Sequence, residues 1–539
     1  MAAFRVERKS RSYVPPSSST PSGFLELSSI DRDEGLRHMV RTLHVFLPRH
    51  HQDDEGLHSG GGGGKGLSPA PVVREALGKA LVDYYPLAGR LVDGPEGPAS
   101  VRVECTGEGA WFVEAAAGCT LADVACLDQL PFLIPADDLL PDAAPGVRRQ
   151  VDVPLMVQVT EFACGGFVVG LSSSHTVTDG LGAGQFITAV ADYARGVPKP
   201  RVTPVWAREL VPSPPRPNPG PPPYPRMLQL RYLTADLSSD GISAAKSEIL
   251  ASTGQRCSTF DVAVAKLWQA RTRALRLADN PSAQVTLCFF ANVRHLLPAD
   301  GGAGAPGFYG NCFYPVTLAA EARAVAELAG LGGVVAMVRE AKARLPAEFA
   351  RWAAGELEED PFRLRFTYES VFVADWTRLG FMEVDYGWGA PSHVVPLAPH
   401  PCMPIARIGA PPALRGRVPG SPRTASRRST CRGHGQRGQG AAADRVRTVG
   451  GRGARGGPLP ARFTHESVFV ADWTRLGFME VDYGWGAPSH VVPLAPHPCM
   501  PIARIGAPPV PRTGAGITTY CVEEEHLPGF REEMQAFGK

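Results

Sequence analysis

Apolar residues recur along this chain at two spacings. In "PVVREALGKALVDYY", Val73, Ala76, Leu77, Ala80, Leu81 and Tyr84 fall on one stripe, so the spacing predicts an amphipathic helix over 71–85 that stops at Pro86. "PLMVQVTEFACGGFVVGLSSSH" holds two β-rich apolar runs around Gly165 and Gly166, the pattern of a hairpin that leads into His175. "GAGQFITAVADYARG" returns to helical spacing, with Phe186, Ile187, Val190 and Tyr193 on one face and Gly196 at the end. Further on, "STFDVAVAKLWQARTRALRL" predicts a second strong helix, and "QVTLCFFANVRHLL" and "NCFYPVTL" read as strands.

Between the two groups runs "VPKPRVTPVWARELVPSPPRPNPGPPPYPRM", whose prolines remove backbone donors and fix φ, so it forms neither helix nor central strand. Alternating strands and helices on both sides of such a connector predict an α/β protein of two domains, with a site between them. The expected boundaries are an N-terminal domain over 1–196, a Pro-rich crossover over 197–230 and a C-terminal domain from 231 to 412.

Composition narrows the function classes. A chain of 539 residues with 44% hydrophobic content can bury a large core, and a net charge of +2 gives no general pull toward nucleic acid or anionic membrane. No apolar run approaches the roughly 18 residues of a membrane helix, and "MAAFRVERKSRSYVPP" lacks the apolar stretch of a signal peptide. A cytosolic protein that does not use nucleic acid or membrane is therefore expected. The 11 cysteines form no CxxC pair, and Cys164, Cys288, Cys312 and Cys521 lie in apolar strand-like runs, as reduced core thiols do.

Candidate chemistry gathers in "SSSHTVTDGLGAGQF". His175 ends a predicted strand, Asp179 follows four residues on, and Gly180, Gly182 and Gly184 allow a sharp turn before the helix. An imidazole at the lip of a sheet has a proton-accepting nitrogen at pH 7 and suits general-base work. A structural histidine hydrogen-bonded at a strand end is the alternative reading. A metal site would need a third ligand, and none stands near; the GxGxG spacing lacks the acidic residue of a dinucleotide fingerprint.

Neighbouring motifs add weight. "YPLAGR" at 85–90, "SHTVTDG", "NVR" at 292–294 and "DYGWG" occur together in this order. The set resembles the BAHD acyltransferases, plant enzymes with HxxxD and DFGWG hallmarks; here Tyr386, or Tyr483, replaces the Phe. "SSIDRDEGLRHMVRTLHVF", "ECTGEGAWFVEAAAG" and "DDLLPDAAPG" further resemble the grass branch acting on hydroxycinnamoyl-CoA. The resemblance implies two chloramphenicol-acetyltransferase-like α/β domains with the active site at their interface. It implies a monomer that transfers an acyl group from acyl-CoA, a co-substrate and not a bound cofactor, to a small alcohol acceptor. His175 would be the general base, with Asp179 turned away from the reaction to pair with Arg294 and, with Gly180, supporting the site. Trp376, or Trp473, would shape the pocket, though Ala374-Asp375 precedes it where the family has Thr-Ser. Asp385, Gly387, Trp388 and Gly389, or Asp482, Gly484, Trp485 and Gly486, would form a structural turn.

The DYGWG block is written twice. Residues 365–412 and 462–509 are identical except that Tyr368 is matched by His465. Repeat arrays diverge between units and need about three to bury a shared core, so two near-identical copies indicate a recent duplication. The spacer over 413–461 is crowded with Arg, Gly and Ser, with Asp444 as its acid, and taken alone would suggest a disordered nucleic-acid-binding tail. The genetic code offers a better account. "RGARGGP" at 452–458 can be written in codons that, read one base later, give "GELEEDP", the sequence of 355–361. The spacer thus reads as a frame-shifted second copy of the preceding helical region. The last segment, 510–539, is expected to complete the second domain. A catalytically impaired relative, spoiled by the duplication, is the competing expectation.

Overall fold

The computed structural model describes residues 4–48, 68–95, 97–127, 132–215, 230–280, 282–297, 307–362, 370–375, 379–381, 383–397, 407–409, 469–471, 502–506 and 515–537. Two large sheets carry the fold. The first has six strands in the order Val6–Val14, Ala110–Ala117, Leu155–Phe162, Phe167–Ser174, Met39–Phe46 and His393–Leu397. The second has eight, in the order Phe313–Glu321, Gln284–Asn292, Phe469–Ala471, Ile502–Gly506, Ser370–Asp375, Arg407–Gly409, Ala515–Glu523 and Leu230–Leu237. Each sheet is mixed and helix-packed, as the alternating pattern predicts for an α/β protein.

The expected hairpin forms. Leu155–Phe162 and Phe167–Ser174 pair antiparallel from Leu155↔Ser173 to Glu161↔Phe167, and nearly every residue of both is buried, so the sheet centre rests on these apolar runs. Cys164 lies in the turn between them and is half-buried, not a strand residue as expected. The helix predicted over 71–85 is Pro69–Asp83, and Tyr85–Ala88 tightens into a 3-10 turn because Pro86 has no N–H to continue the ladder. "STFDVAVAKLWQ" starts a helix at Thr259–Ala274, where Ser258 and Asp261 satisfy each other's backbone donors as a capping box.

The chain also crosses back between the halves. Residues 379–397, placed by sequence in the C-terminal domain, join the first sheet and its core: His393–Leu397 pairs antiparallel with Met39–Phe46, and Leu379, Phe381, Val384, Tyr386 and Val394 are buried there. Burial of such side chains contributes about 1.5–3 kcal/mol each, or roughly 10 kcal/mol for the five before ordering costs. That outweighs the few kcal/mol of closing even a long loop. One copy of the DYGWG block is therefore seated by its own apolar face.

Elsewhere the two copies meet at one slot. Ile408 and Ile505 both pair with Ile517, Arg407 and Arg504 with Thr518, and Gly409 and Gly506 with Gly516. Val373 and Ala374 likewise pair in parallel with Val470 and Ala471, their own duplicates. Identical strands have identical affinity for one partner at one register, so duplication sets the copies in competition for a position that needs one strand. The spacer over 413–461 lies outside the described residues.

Candidate active site

The Phe167–Ser174 strand delivers His175 to a cleft lined by residues of the first half. Its backbone N–H donates to the His38 carbonyl at 2.9 Å, and its own carbonyl accepts from Asn311 Nδ2 at 2.8 Å. Burial pushes the His175 pKa below the ordinary histidine range, against smaller upward pulls from its own backbone carbonyl, Asp179, Asn311 and Asp31. The imidazole is therefore neutral at pH 7. The cleft is mainly apolar, with Val40, Leu87, Leu155, Leu171, Phe186 and Phe381 on its walls and His175, Asp179, Thr42, Ser173 and Thr178 as polar points. Phe381 arrives with the docked DYGWG segment, so both halves of the sequence build the wall.

Asp179 borders the same cleft. Its carboxylate takes Arg294 in a bidentate pair, Nη1 to Oδ2 at 2.8 Å and Nη2 to Oδ1 at 2.9 Å, with both residues buried. The same oxygens accept from Gly182 N at 2.9 Å and Cys312 N at 3.2 Å. Arg294 also donates to the Phe308 and Gly310 carbonyls and to Asn292 Oδ1. Asp179 is thus also the N-cap of the helix Gly180–Ala194, which starts earlier than expected. The glycines lie inside its first turns and do not make a turn before it. Gly182 is needed for close approach, because a Cβ there would stand 1.9 Å from the Tyr309 carbonyl oxygen and 2.2 Å from Thr178 Oγ1.

The DYGWG turn is closed by Asp385, whose Oδ1 accepts from Gly387 N at 2.9 Å and Gly389 N at 2.8 Å. Gly387 and Gly389 have φ of +106° and +93°, which side chains rarely adopt. Tyr386 is buried, 5.7 Å from the Phe46 ring, and Trp388 meets Phe167 edge-on at 5.7 Å. Tyrosine thus serves where the family has phenylalanine, with its ring in the core. Trp376, Trp473, Tyr483, Asp482, Gly484, Trp485 and Gly486 lie outside the described residues.

A second buried ion pair escaped the sequence reading. Asp31, fully buried, takes Arg208 Nε on Oδ2 at 2.8 Å, and Arg208 Nη2 donates to the Val177 carbonyl, inside the loop between His175 and Asp179, at 2.7 Å. Asp31 Oδ1 accepts from both the backbone N and Nδ2 of Asn311, at 3.0 and 2.7 Å. The signals in the sequence are faint: an aspartate just after the apolar Ile30, and an arginine two residues after Trp206 in the Pro-rich crossover. Among the described residues no group of three or more His, Cys, Asp or Glu side chains could hold a metal ion, and no helix is long and apolar enough to cross a membrane.

A two-half α/β fold, a histidine at a strand end and an aspartate committed to an arginine define an HxxxD acyltransferase. The family model described as "Transferase family" matches residues 4–402 and 459–537. The chain belongs to this family, the BAHD acyltransferases, and is an acyl-CoA-dependent acyltransferase. It is 62% identical over 547 residues to Acyl transferase 4 of Oryza sativa subsp. japonica, across 99% of this chain and 100% of that protein. To Myricetin 3-O-glucosyl 1,2-rhamnoside 6'-O-caffeoyltransferase AT2 of Crocosmia x crocosmiiflora it is 38% identical over 420 residues, 74% of this chain and 90% of that one. The crystal structure of vinorine synthase superposes with a TM-score of 0.55 at 23% identity, covering 72% of this chain and 88% of that chain, a likeness of fold.

Proposed function

We propose that the enzyme transfers a hydroxycinnamoyl group from its CoA thioester to an alcohol hydroxyl, with His175 as general base. The acceptor O–H gives its proton to the neutral imidazole as the oxygen attacks the thioester carbonyl. The tetrahedral intermediate then breaks its C–S bond, and the imidazolium returns the proton to the departing CoA thiolate, leaving ester and free CoA thiol. The observation that carries this reading is the geometry of Asp179: with its carboxylate committed to Arg294, it leaves the chemistry to His175, the other titratable group lining the cleft. The hydroxycinnamoyl donor is supported by a relative whose name specifies caffeoyl transfer. A cleft walled by Phe186, Phe381 and aliphatic side chains suits a flat aromatic acyl chain.

Asp179, Arg294 and Gly180 hold the site, Trp376 or Trp473 shapes the pocket, and Asp385, Gly387, Trp388 and Gly389 make the structural turn. The domain boundaries are proposed as read from sequence, with 379–397 moved to the first half. The free cysteines among the described residues, Cys288 and Cys312 with thiols pushed up to about 12 by burial, suit a reducing compartment such as cytosol, where a monomer would act. The docked DYGWG copy supports an active enzyme over an impaired one. The test is free-thiol release from a panel of hydroxycinnamoyl, malonyl and acetyl thioesters of CoA, with and without alcohol acceptors. Acceptor-dependent release confined to malonyl-CoA or acetyl-CoA overturns the donor assignment.

A further inference from the structure

Two positions in the second sheet are each claimed by both copies of the repeated block, and each time at one register. A strand has two edges, and Leu230–Leu237 takes one edge of Ala515–Glu523, with Thr518 opposite Thr234. The other edge has room for a single strand, lying between Ala515–Glu523 and Ser370–Asp375. Ile408 pairs there with Ile517 on one side and Asp375 on the other, and Ile505 pairs with the same two residues. The neighbouring position repeats the pattern. Gln284–Asn292 runs parallel to Ser370–Asp375 from Thr286↔Ser370 to Phe289↔Val373, so the residue due opposite Phe290 is Ala374. The residue that pairs there is Ala471, which holds the same place in the second copy.

Neither contacts nor chain entropy separates the two claimants. The blocks 365–412 and 462–509 differ only at Tyr368 and His465, so at one register both offer the same side chains to the same partners. Seating the first copy leaves 410–514 to connect Gly409 with Ala515, and seating the second leaves 363–466 to connect Phe362 with Ser467, which are 105 and 104 residues. Closure entropy varies with the logarithm of loop length, so the two connections cost the same. A second molecule is a poor rival at micromolar protein, because a tethered copy is held at a far higher effective concentration.

We propose that the two copies are interchangeable: either one supplies the strands beside Gln284–Asn292 and Ala515–Glu523, and the protein folds as two isomers of matched stability that differ in which copy is seated and where the connecting chain leaves the sheet. The cleft is the same in both, since the second copy repeats Phe381 as Phe478. The spare copy thus replaces a damaged one.

The experiment compares Ile408→Pro, Ile505→Pro and the double variant in the full chain by thermal melts at one scan rate. Proline removes a ladder donor from a strand that has neighbours on both edges. Each single variant keeps an intact copy and loses one of two equal seatings, which halves the ratio of folded to unfolded protein. Its melting temperature should fall by only about 1–2 °C, with thiol release within about twofold of wild type. With no intact copy left, the double variant should melt about 6–12 °C lower. A single variant that melts as low as the double shows that its copy alone is seated, and overturns the proposal. Two single drops that sum to the double also overturn it, because they mark copies seated together. A double variant that melts with wild type does so as well, since neither copy then fills the position. Melting reads the seating without reference to acyl transfer, so failure here leaves the His175 reading standing.

Discussion

Asp179→Asn isolates what the bidentate pair does. Asparagine keeps one oxygen, so the cap on Gly182 N, now 2.9 Å from Oδ1, survives. The amide nitrogen, however, takes the place of Oδ2 and meets Arg294 Nη1 and Cys312 N, which accept nothing; donor faces donor at 2.8 and 3.2 Å. Arg294 is 9% exposed and Asp179 7%, so the guanidinium is left in a dry site without its paired carboxylate. Breaking a buried pair in this way costs about 3–5 kcal/mol. At roughly 2–4 °C per kcal/mol for domains of this size, the melting temperature should drop by about 6–20 °C at a fixed scan rate. Because the loop from His175 to Asp179 loses its anchor, kcat should fall on the order of 100-fold, the usual effect of displacing a base by about an ångström. Thermal melts and thiol-release assays on the same preparations check both. Loss of activity with an unchanged melting curve would refute the reasoning and place Asp179 in the chemistry.

Acid should destabilise the protein through His44, whose pKa burial pushes down to about 3: the unfolded histidine takes a proton near pH 6.5 and the folded one does not, so stability is intact above pH 6.5 and lost as pH falls. The loss from this one group is about 2 kcal/mol at pH 5, measured by urea titration at pH 7 and 5 and removed in a His44→Gln variant that folds; equal acid sensitivity in both would refute it. His175 shifts in the same direction, so the acid limb of kcat/KM should lie below pH 6.5, and a limb above 7 would contradict its burial. Gly182→Ala should destabilise despite better helix propensity, since its methyl meets the Tyr309 carbonyl; a melting temperature at or above wild type would refute this. Deleting 413–509 leaves one DYGWG block and one claimant for the Ile517 register, and should equal or raise soluble yield and activity. Loss of a transferase activity that the parent has would show the second copy to be functional.

Local patterns were legible wherever the partner is near in sequence. The hairpin before His175 and the capped helix after Ser258 follow from spacing and end signals alone. The resemblance supplied Arg294 as the partner of Asp179, and the pair is where it implied. What could not be read depends on chain crossing. Nothing in the spacing of "HVVPL" says that it adds to a sheet begun at residue 6, and the alternation that marks it as a strand is the same for either sheet. Asp31, Arg208 and Asn311 were missed for the same reason: a buried charge is recognisable only with its counter-ion, and here the three are brought together across |i−j| of up to 280. The helix starts at Gly180, earlier than its glycines suggest, because Gly182 serves the close approach of Tyr309 and not a turn.

The central claim is that a neutral His175 moves the acceptor's proton during acyl transfer. Its most direct test is the rate of acceptor-dependent CoA thiol release by wild type and by His175→Ala at saturating acyl-CoA and alcohol, with folding of the variant checked by its melting curve. Removal of the base should cut turnover by about 10²- to 10⁴-fold or more while the melting temperature stays near wild type. A folded His175→Ala enzyme that turns over within twofold of wild type would contradict the account.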